Sequence, residues 1–287
     1  MAKSWLTREP AVNPMGANTQ SFFIVSSGRS GTAMLTKALS AAGNIEMHHE
    51  YMVHIVQKLG VRRYRGLTRA DEITESLRQT HAASVHYSEA AHWGDSSNKL
   101  SWLIPELAAL LPEAKFVHLV RDGRKVAGSY FRKLADECYD DRSVAVLQAF
   151  LDDPTATPAP PPEKKYWWPI PRDPAFRNYN QFERIAWHWA EINRVILDSL
   201  ERLPASRKHF VRLEDLYASA HEVRSLFRFL NLSYRDEIGQ MFARPHNVNR
   251  PEDRLLDAAQ ADAFARIADP MMAELGYRGR AEYVVNY

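Results

Sequence analysis

The chain has 287 residues, of which 45% are hydrophobic and 25% charged, and its formal net charge is +2 at pH 7. These values are those of an ordinary globular protein and argue against a nucleic-acid-binding chain, although local clusters of Arg and Lys would still suit a polyanionic ligand. The single cysteine, Cys138, excludes an intrachain disulfide and fits a reducing compartment.

No segment of the sequence has the length and apolar character of a signal peptide or a membrane span. The first ten residues include Lys3, Arg8, Glu9 and Pro10, and no uncharged apolar run approaches the roughly 18 residues that a span needs. We therefore expect a cytoplasmic protein without a membrane span.

The first recognisable unit covers residues 22–43 and reads as strand, glycine turn and helix. Phe22-Phe23-Ile24-Val25-Ser26 is a short apolar run of the kind that forms a buried parallel strand. After the turn, Leu35, Ala38, Leu39 and Ala42 recur at helical spacing, and Gly43 is a suitable end signal.

The same order recurs downstream. Strands are predicted at 115–120 and 209–213, with a turn at 121–123 and a helix from about Arg124. Further helices are predicted at 69–83, 179–202, 219–230 and about 259–275. This alternation predicts an α/β fold with a central parallel sheet flanked by helices on both faces, and we treat 1–287 as a single domain.

A proline-rich insertion interrupts the pattern at about 152–174, with eight prolines that exclude a helix or a central strand. Two interpretations remain open for it. It is either an extended surface segment or a loop over the active site, as Tyr166-Trp167-Trp168 suggests.

The chemistry of the first turn points to a phosphate-bearing ligand. Gly28 and Gly31 allow backbone amides to approach an anion, and the helix that begins near Thr32 offers free N–H groups. Arg29 supplies a permanent positive charge, and Ser30 and Thr32 supply hydroxyl donors. The lysine of an ATP or GTP loop is missing, because Thr32 follows Gly31 directly.

Two motifs resemble the sulfotransferase superfamily, whose members use 3′-phosphoadenosine-5′-phosphosulfate (PAPS). Arg29-Ser30-Gly31-Thr32 is similar to the family's 5′-phosphosulfate loop, and Arg121-Asp122-Gly123-Arg124 with Ser129 is similar to its 3′-phosphate motif, with Gly123 in place of proline. The resemblance extends over roughly residues 21–278 through Asn98-Lys99, Glu214-Asp215-Leu216 and Glu274-Leu275-Gly276-Tyr277. It implies a P-loop NTPase-like sulfotransferase fold.

The resemblance also implies roles for particular residues. Gly28, Arg29, Ser30, Gly31, Thr32 and the Ala33 amide would bind the 5′-phosphosulfate, while Arg121 and Ser129 would bind the 3′-phosphate. Arg29 would also stabilise the leaving oxygen, and Lys99 would contact the transferred group. The alternatives are a surface ion pair of Arg121 with Asp122 or a neighbour, an ordinary helical serine at 129 and a solvated lysine at 99.

A base must accept the proton of the acceptor hydroxyl. The short run before His48 is a further candidate strand, and carbohydrate-type relatives place a glutamate just after it, which makes Glu50 the predicted base here. His48 and His49 are competing candidates, and a solvated glutamate at a helix start is the third alternative. His49, Glu50 and His54 lack zinc-protease spacing, so no metal is expected.

The predicted function is therefore transfer of a sulfuryl group from PAPS to a sugar, glycolipid or other hydroxyl acceptor. Two alternatives remain: a kinase-like P-loop protein, disfavoured by the missing lysine, and a non-catalytic PAPS-binding protein. Asn247-Val248-Asn249-Arg250 is a weaker candidate for a loop near the 3′-phosphate.

Overall fold

The architecture is an α/β fold built on a parallel sheet, seen in a computed structural model that describes residues 19–242 and 255–282. The strands are β1 (Gln20–Val25), β2 (Ile45–His49), β3 (His92–Ser96), β4 (Lys115–Val120) and β5 (Lys208–Arg212). They lie in the order β2-β3-β1-β4-β5, and every neighbouring pair is parallel. The predicted parallel sheet is confirmed, and β1, β4 and β5 match the three predicted strands within one or two residues.

Helices cover both faces of the sheet. They are α1 (Thr32–Ser40), α2 (Val53–Tyr64), α3 (Ala70–Leu77), α4 (Ala83–Tyr87), α5 (Ile104–Leu110), α6 (Gly123–Lys133), α7 (Asp141–Asp152), α8 (Gln181–Glu201), α9 (Leu213–Ala218), α10 (Ala220–Phe229), α11 (Asp236–Phe242) and α12 (Ala258–Glu274). Because side chains alternate along a strand, Phe22 and Ile24 pack with α1 and α10, whereas Phe23 and Val25 pack with α5 and α8. The prediction of helices on both faces is confirmed.

The predicted helices at 179–202, 219–230 and 259–275 correspond closely to α8, α10 and α12. The predicted helix at 69–83 is interrupted by a π-helical turn, Arg78–Ala82, which connects α3 to α4. Such a turn accommodates an extra residue and changes which side chains face inward. His81 lies in it and is fully buried.

The strand order defines where a ligand crevice is expected. From β1 the chain proceeds to β2 and β3 on one side, whereas from β4 it proceeds to β5 on the other. The carboxyl ends of β1 and β4 therefore flank a topological switch point, where open α/β sheets bind their ligands. The glycine turn follows β1, and Arg121 follows β4.

Candidate active site

Three of the four residues 28–31 in the turn between β1 and α1 have a left-handed backbone conformation. Gly28, Arg29 and Gly31 have positive φ angles of 77°, 52° and 85°. Gly31 is the N-cap of α1, and no side chain caps the helix there. The first N–H groups of α1 therefore remain available to an anion, as the sequence predicts for a phosphate-binding turn.

Hydroxyl groups inside the turn stabilise its shape. The Gly28 N–H donates to Ser26 Oγ at 3.1 Å, and Ser30 Oγ donates to the Gly28 carbonyl at 3.0 Å. Ser30 is fully buried, and its hydroxyl also lies 3.2 Å from Ser27 Oγ. In this structure the Ser30 hydroxyl supports the turn, whereas the predicted contact to a phosphate oxygen would need it to rotate.

Two supports of the turn come from distant parts of the chain. Tyr130 Oη donates to the Ser27 carbonyl at 3.0 Å, and Asn98 Nδ2 donates to Tyr130 Oη at 3.3 Å. Ser101 Oγ accepts from the Ser26 N–H at 3.1 Å and lies 3.0 Å from the Ser26 carbonyl. Sequence reasoning missed Tyr130 and Ser101, because neither lies in a motif and only their neighbours Ser129 and Lys99 were singled out.

The turn and the loop after β4 are joined by two arginines. Arg29 Nε donates to Ser129 Oγ at 3.0 Å, and Arg121 Nη1 donates to the Arg29 carbonyl at 3.0 Å. Asp122 instead pairs with Arg124, at 2.6 Å, and caps α6. The three residues expected to contact the two ends of PAPS therefore form one connected group, and the alternative ion pair between Arg121 and Asp122 is absent among the described residues.

Glu50 lies in a tight turn between β2 and α2, with a positive φ angle of 58°. Its Oε2 accepts a hydrogen bond from Lys164 Nζ at 2.8 Å. Burial by itself would raise the pKa of Glu50, but the positive charges of Lys99 and Lys164 outweigh burial, and the pKa lies below its ordinary value. The carboxylate is therefore held ionised, as a base must be before it accepts a proton.

The two histidines that compete with Glu50 have other partners. His48 Nε2 lies 2.9 Å from Glu46 Oε1, and its ring packs against Trp93. His49 Nδ1 lies 2.9 Å from the Ser96 carbonyl. Glu50 differs from both because its carboxylate is the group that faces the two lysines.

Lys99 is 7% exposed, which contradicts the alternative of a solvated lysine. Its Nζ lies 3.8 Å from the centre of the Trp168 ring, a cation–π distance. Burial lowers the pKa of Lys99 to about 8, although the charge of Glu50 acts in the opposite direction. A buried ammonium group beside a carboxylate provides a cation next to the candidate base.

The proline-rich insertion supplies Lys164 and Trp168, so its two interpretations apply to different parts of it. Residues 152–156 are exposed, whereas 166–170 are buried. Gln57 Nε2 donates to the carbonyls of both Lys164 and Trp167, at 2.9 and 2.7 Å. Tyr139 Oη donates to the Pro169 carbonyl at 2.6 Å. The second half of the insertion is thus fixed beside Glu50 and forms a wall of the candidate site.

Two other residues considered from the sequence belong to the core. Trp189 is fully buried against Phe264, as its place on the apolar stripe predicts. Cys138 is also fully buried, and burial raises the pKa of its thiol, which suits an inert cysteine.

Within 19–242 and 255–282, no three His, Cys, Asp or Glu side chains are arranged to bind a metal ion. Over the same ranges, no helix has the length and apolar character needed to cross a membrane. The segment Asn247-Val248-Asn249-Arg250, the weaker candidate for a 3′-phosphate loop, lies outside the described residues.

A parallel sheet with a phosphate-type turn after its central strand defines a P-loop-like class of protein. Residues 21–156 match the model of the sulfotransferase family. That segment contains the glycine turn, Glu50, Lys99, Arg121 and Ser129. Over this part of the chain, the protein is therefore similar to the sulfotransferase family.

One sulfotransferase of known structure agrees with this fold. A sulfotransferase from Alicyclobacillus acidocaldarius is 15% identical over 89% of this chain and 94% of its own, with a TM-score of 0.51. The sulfotransferase domain of the Synechococcus PCC 7002 olefin synthase is 17% identical over 98% of this chain and 100% of its own, with a TM-score of 0.48. No curated protein sequence matches the chain.

Proposed function

We propose that this chain transfers the sulfuryl group of PAPS to a hydroxyl acceptor, with Glu50 as the base. The observation that carries the proposal is the convergence of three groups at one edge of the sheet. The glycine turn follows β1, Arg121 and Ser129 follow β4 and contact Arg29, and Glu50 follows β2 and faces Lys99. An anion-binding turn next to an ionised carboxylate suits transfer of an anionic group to an alcohol.

The residues divide the chemical work among them. The N–H groups at the start of α1, with Thr32 and the Ala33 amide, would bind the 5′-phosphosulfate, with Gly28 and Gly31 allowing close approach. Arg121 and Ser129 would bind the 3′-phosphate through charge-assisted and hydroxyl hydrogen bonds. Arg29, whose side chain also reaches Ser129, would stabilise the leaving oxygen, and Lys99 would contact the transferred group.

The reaction is an in-line displacement. The acceptor oxygen bonds to sulfur while its proton moves to Glu50. The bond from sulfur to the 5′-phosphate oxygen breaks, and the phosphate of the product PAP keeps that electron pair. The positive charge of Arg29 stabilises the negative charge that develops on the leaving oxygen, and Lys99 contacts the transferred group. We also propose that 1–287 acts as one domain in the cytoplasm, on a small-molecule or carbohydrate acceptor.

The test is transfer of labelled sulfate from PAPS to a panel of sugars, glycolipids and simple alcohols, with PAP binding measured by calorimetry. Glu50→Gln should lower kcat by roughly 100-fold or more, because a neutral amide cannot take the proton. Its affinity for PAP should stay within about twofold, since no phosphate contact is removed. Glu163→Gln, on an exposed residue of the same neighbourhood, is the matched control and should keep full activity.

Two outcomes would contradict the proposal in different ways. Binding of ATP without binding of PAPS would favour the kinase-like alternative. Binding of PAP without transfer to any acceptor, or to water, would favour a non-catalytic PAPS-binding protein.

A further inference from the structure

The turn that carries Glu50 has a backbone conformation that needs external support. Glu50 and Met52 have positive φ angles of 58° and 50°, and neither is glycine. Such residues are strained and persist only where their surroundings hold them. Whatever holds this turn also determines where the Glu50 carboxylate points.

The main chain fixes both ends of the turn. The Glu50 N–H donates to the Ser96 carbonyl at 3.1 Å and so extends the pairing of β2 with β3 by one residue. The Val53 N–H donates to the Glu50 carbonyl at 3.2 Å. Between these two bonds, the Tyr51 N–H points away from the sheet ladder and needs a different acceptor.

Asp95 supplies that acceptor. Its Oδ1 accepts the Tyr51 N–H at 3.1 Å, and the Asp95 side chain is completely buried near the end of β3. A buried carboxylate is costly to keep in a core, so its presence at this one N–H requires an explanation.

The second carboxyl oxygen of Asp95 is incompletely hydrogen-bonded, so a contribution to folding stability does not readily explain why Asp95 is there. Asp95 Oδ2 has no hydrogen-bond partner among the described residues, and it faces His81 Nε2, also unpartnered, at 3.7 Å. His81 is completely buried in the π-helical turn, and its ring packs edge-on to Tyr51 with centroids 5.2 Å apart. An incompletely satisfied buried pair is retained more readily for positioning than for stability.

We propose that Asp95 is a positioning residue for Glu50, backed by His81: by binding the Tyr51 N–H it holds the left-handed turn that directs the Glu50 carboxylate toward Lys99 and the bound sulfuryl donor. This inference rests on the proposed role of Glu50 as base. The Asp95 side chain contacts Tyr51 and His81, and neither is a predicted phosphate-binding residue, so its effect should fall on the chemical step.

The experiment compares Asp95→Ala with Asp95→Asn in the full chain. The asparagine oxygen can still accept the Tyr51 N–H, whereas alanine cannot. We expect Asp95→Ala to lower kcat for PAPS turnover by about tenfold to 100-fold, because small displacements of a reacting group are that costly. Asp95→Asn should stay within about threefold of the unaltered protein, and PAP affinity should change by less than about twofold in both. Asp95→Ser, which is too short to reach the N–H, gives the same information if the alanine variant does not fold.

A second readout does not depend on turnover. Hydrogen exchange of the peptide containing residues 50–53 should be faster in Asp95→Ala than in Asp95→Asn, while the peptide containing β4 should be unchanged. In a Glu50→Gln background, Asp95→Ala should reduce kcat by less than about twofold further, because the group that it positions is already lost.

Specific results would overturn the inference. Asp95 would have a merely structural role if the alanine and asparagine variants were equally impaired, or if PAP affinity fell in parallel with kcat. The same would hold if Asp95→Ala caused a full additional loss of kcat in the Glu50→Gln background. Failure of the proposed function is recognised separately. In that case Glu50→Gln itself is fully active or no PAPS turnover occurs, while hydrogen exchange still reports on the turn.

Discussion

The guanidinium group of Arg29 donates a hydrogen bond to the Ser129 hydroxyl at 3.0 Å across 100 residues of sequence. Arg121 completes the link by donating to the Arg29 carbonyl. These two hydrogen bonds therefore join the glycine turn to α6 and to the residue that follows β4. A change at one of these residues should affect the ligand affinity contributed by the others.

This coupling predicts a non-additive effect on PAP binding. Ser129→Ala should weaken PAP binding by roughly tenfold, and Arg29→Ala by more, because charge-assisted hydrogen bonds contribute roughly 1.5–3 kcal/mol. The double variant should lose less than the sum of the two losses. Calorimetry with PAP measures all three, and Arg142→Ala, on an exposed residue of α7, is the control. Strict additivity would show that the two side chains act independently.

Gly28 and Gly43 provide a matched pair for testing the turn. Both have a positive φ angle, 77° and 80°, so alanine is strained at either position. A Cβ at Gly28 would lie 2.1 Å from Tyr130 Oη, whereas a Cβ at Gly43 would meet nothing within 4 Å. We expect Gly43→Ala to cost about 1 kcal/mol of unfolding free energy and to leave PAP binding intact. Gly28→Ala should in addition abolish measurable PAP binding. Equal effects of the two variants would contradict the role of the Tyr130 contact.

The buried charge of Lys99 should lower the free energy of unfolding, although the same charge should serve activity. Its pKa falls from 10.5 in the unfolded chain to about 8 in the folded one. The unfolded chain keeps the proton of Lys99 to a higher pH than the folded chain does. The loss of folding stability caused by burying this charge is therefore complete below pH 8 and vanishes above about 10.5. Lys99→Met should raise the free energy of unfolding at pH 7 by roughly 1–3 kcal/mol and nearly abolish turnover.

Chemical denaturation at pH 7 and at about pH 10.5 measures this effect, which should shrink at the higher pH. Lys37→Met, on an exposed residue of α1, should change stability by less than about 0.5 kcal/mol at both values. A destabilised Lys99→Met variant at pH 7 would mean that the attraction of Lys99 to the Glu50 charge and its contact with Trp168 outweigh the cost of burial.

Lys164 should control the acid limb of the activity profile. Since Lys99 and Lys164 together hold the pKa of Glu50 below its ordinary value, removing Lys164 should raise that pKa. A base must be ionised to work, so the acid limb of kcat against pH should move to higher pH in Lys164→Met. Lys165→Met is the neighbouring control, because Lys165 lies over the Tyr166 ring at 5.1 Å. An unchanged acid limb in Lys164→Met would mean that the group titrating there is not Glu50.

The sequence by itself determined the parallel α/β fold, three of the five strands as separate predictions, and the position of the glycine turn. These follow from local patterns, because apolar periodicity reports which face an element buries and glycine spacing reports where the backbone must turn left-handed. The same patterns missed the interruption at Arg78–Ala82, since a π-helical turn leaves no separate signature in the spacing.

Only the tertiary structure decided what surrounds Glu50. Lys164 reaches it across 114 residues, Asp95 supports its turn from another strand, and Tyr130 supports the phosphate turn from α6. Such contacts depend on strand order and on the path of the proline-rich insertion, and neither is encoded in the residues next to Glu50. Local sequence fixes the conformation that a segment prefers, whereas packing of distant segments fixes which charges share a buried space and therefore the chemistry of the site.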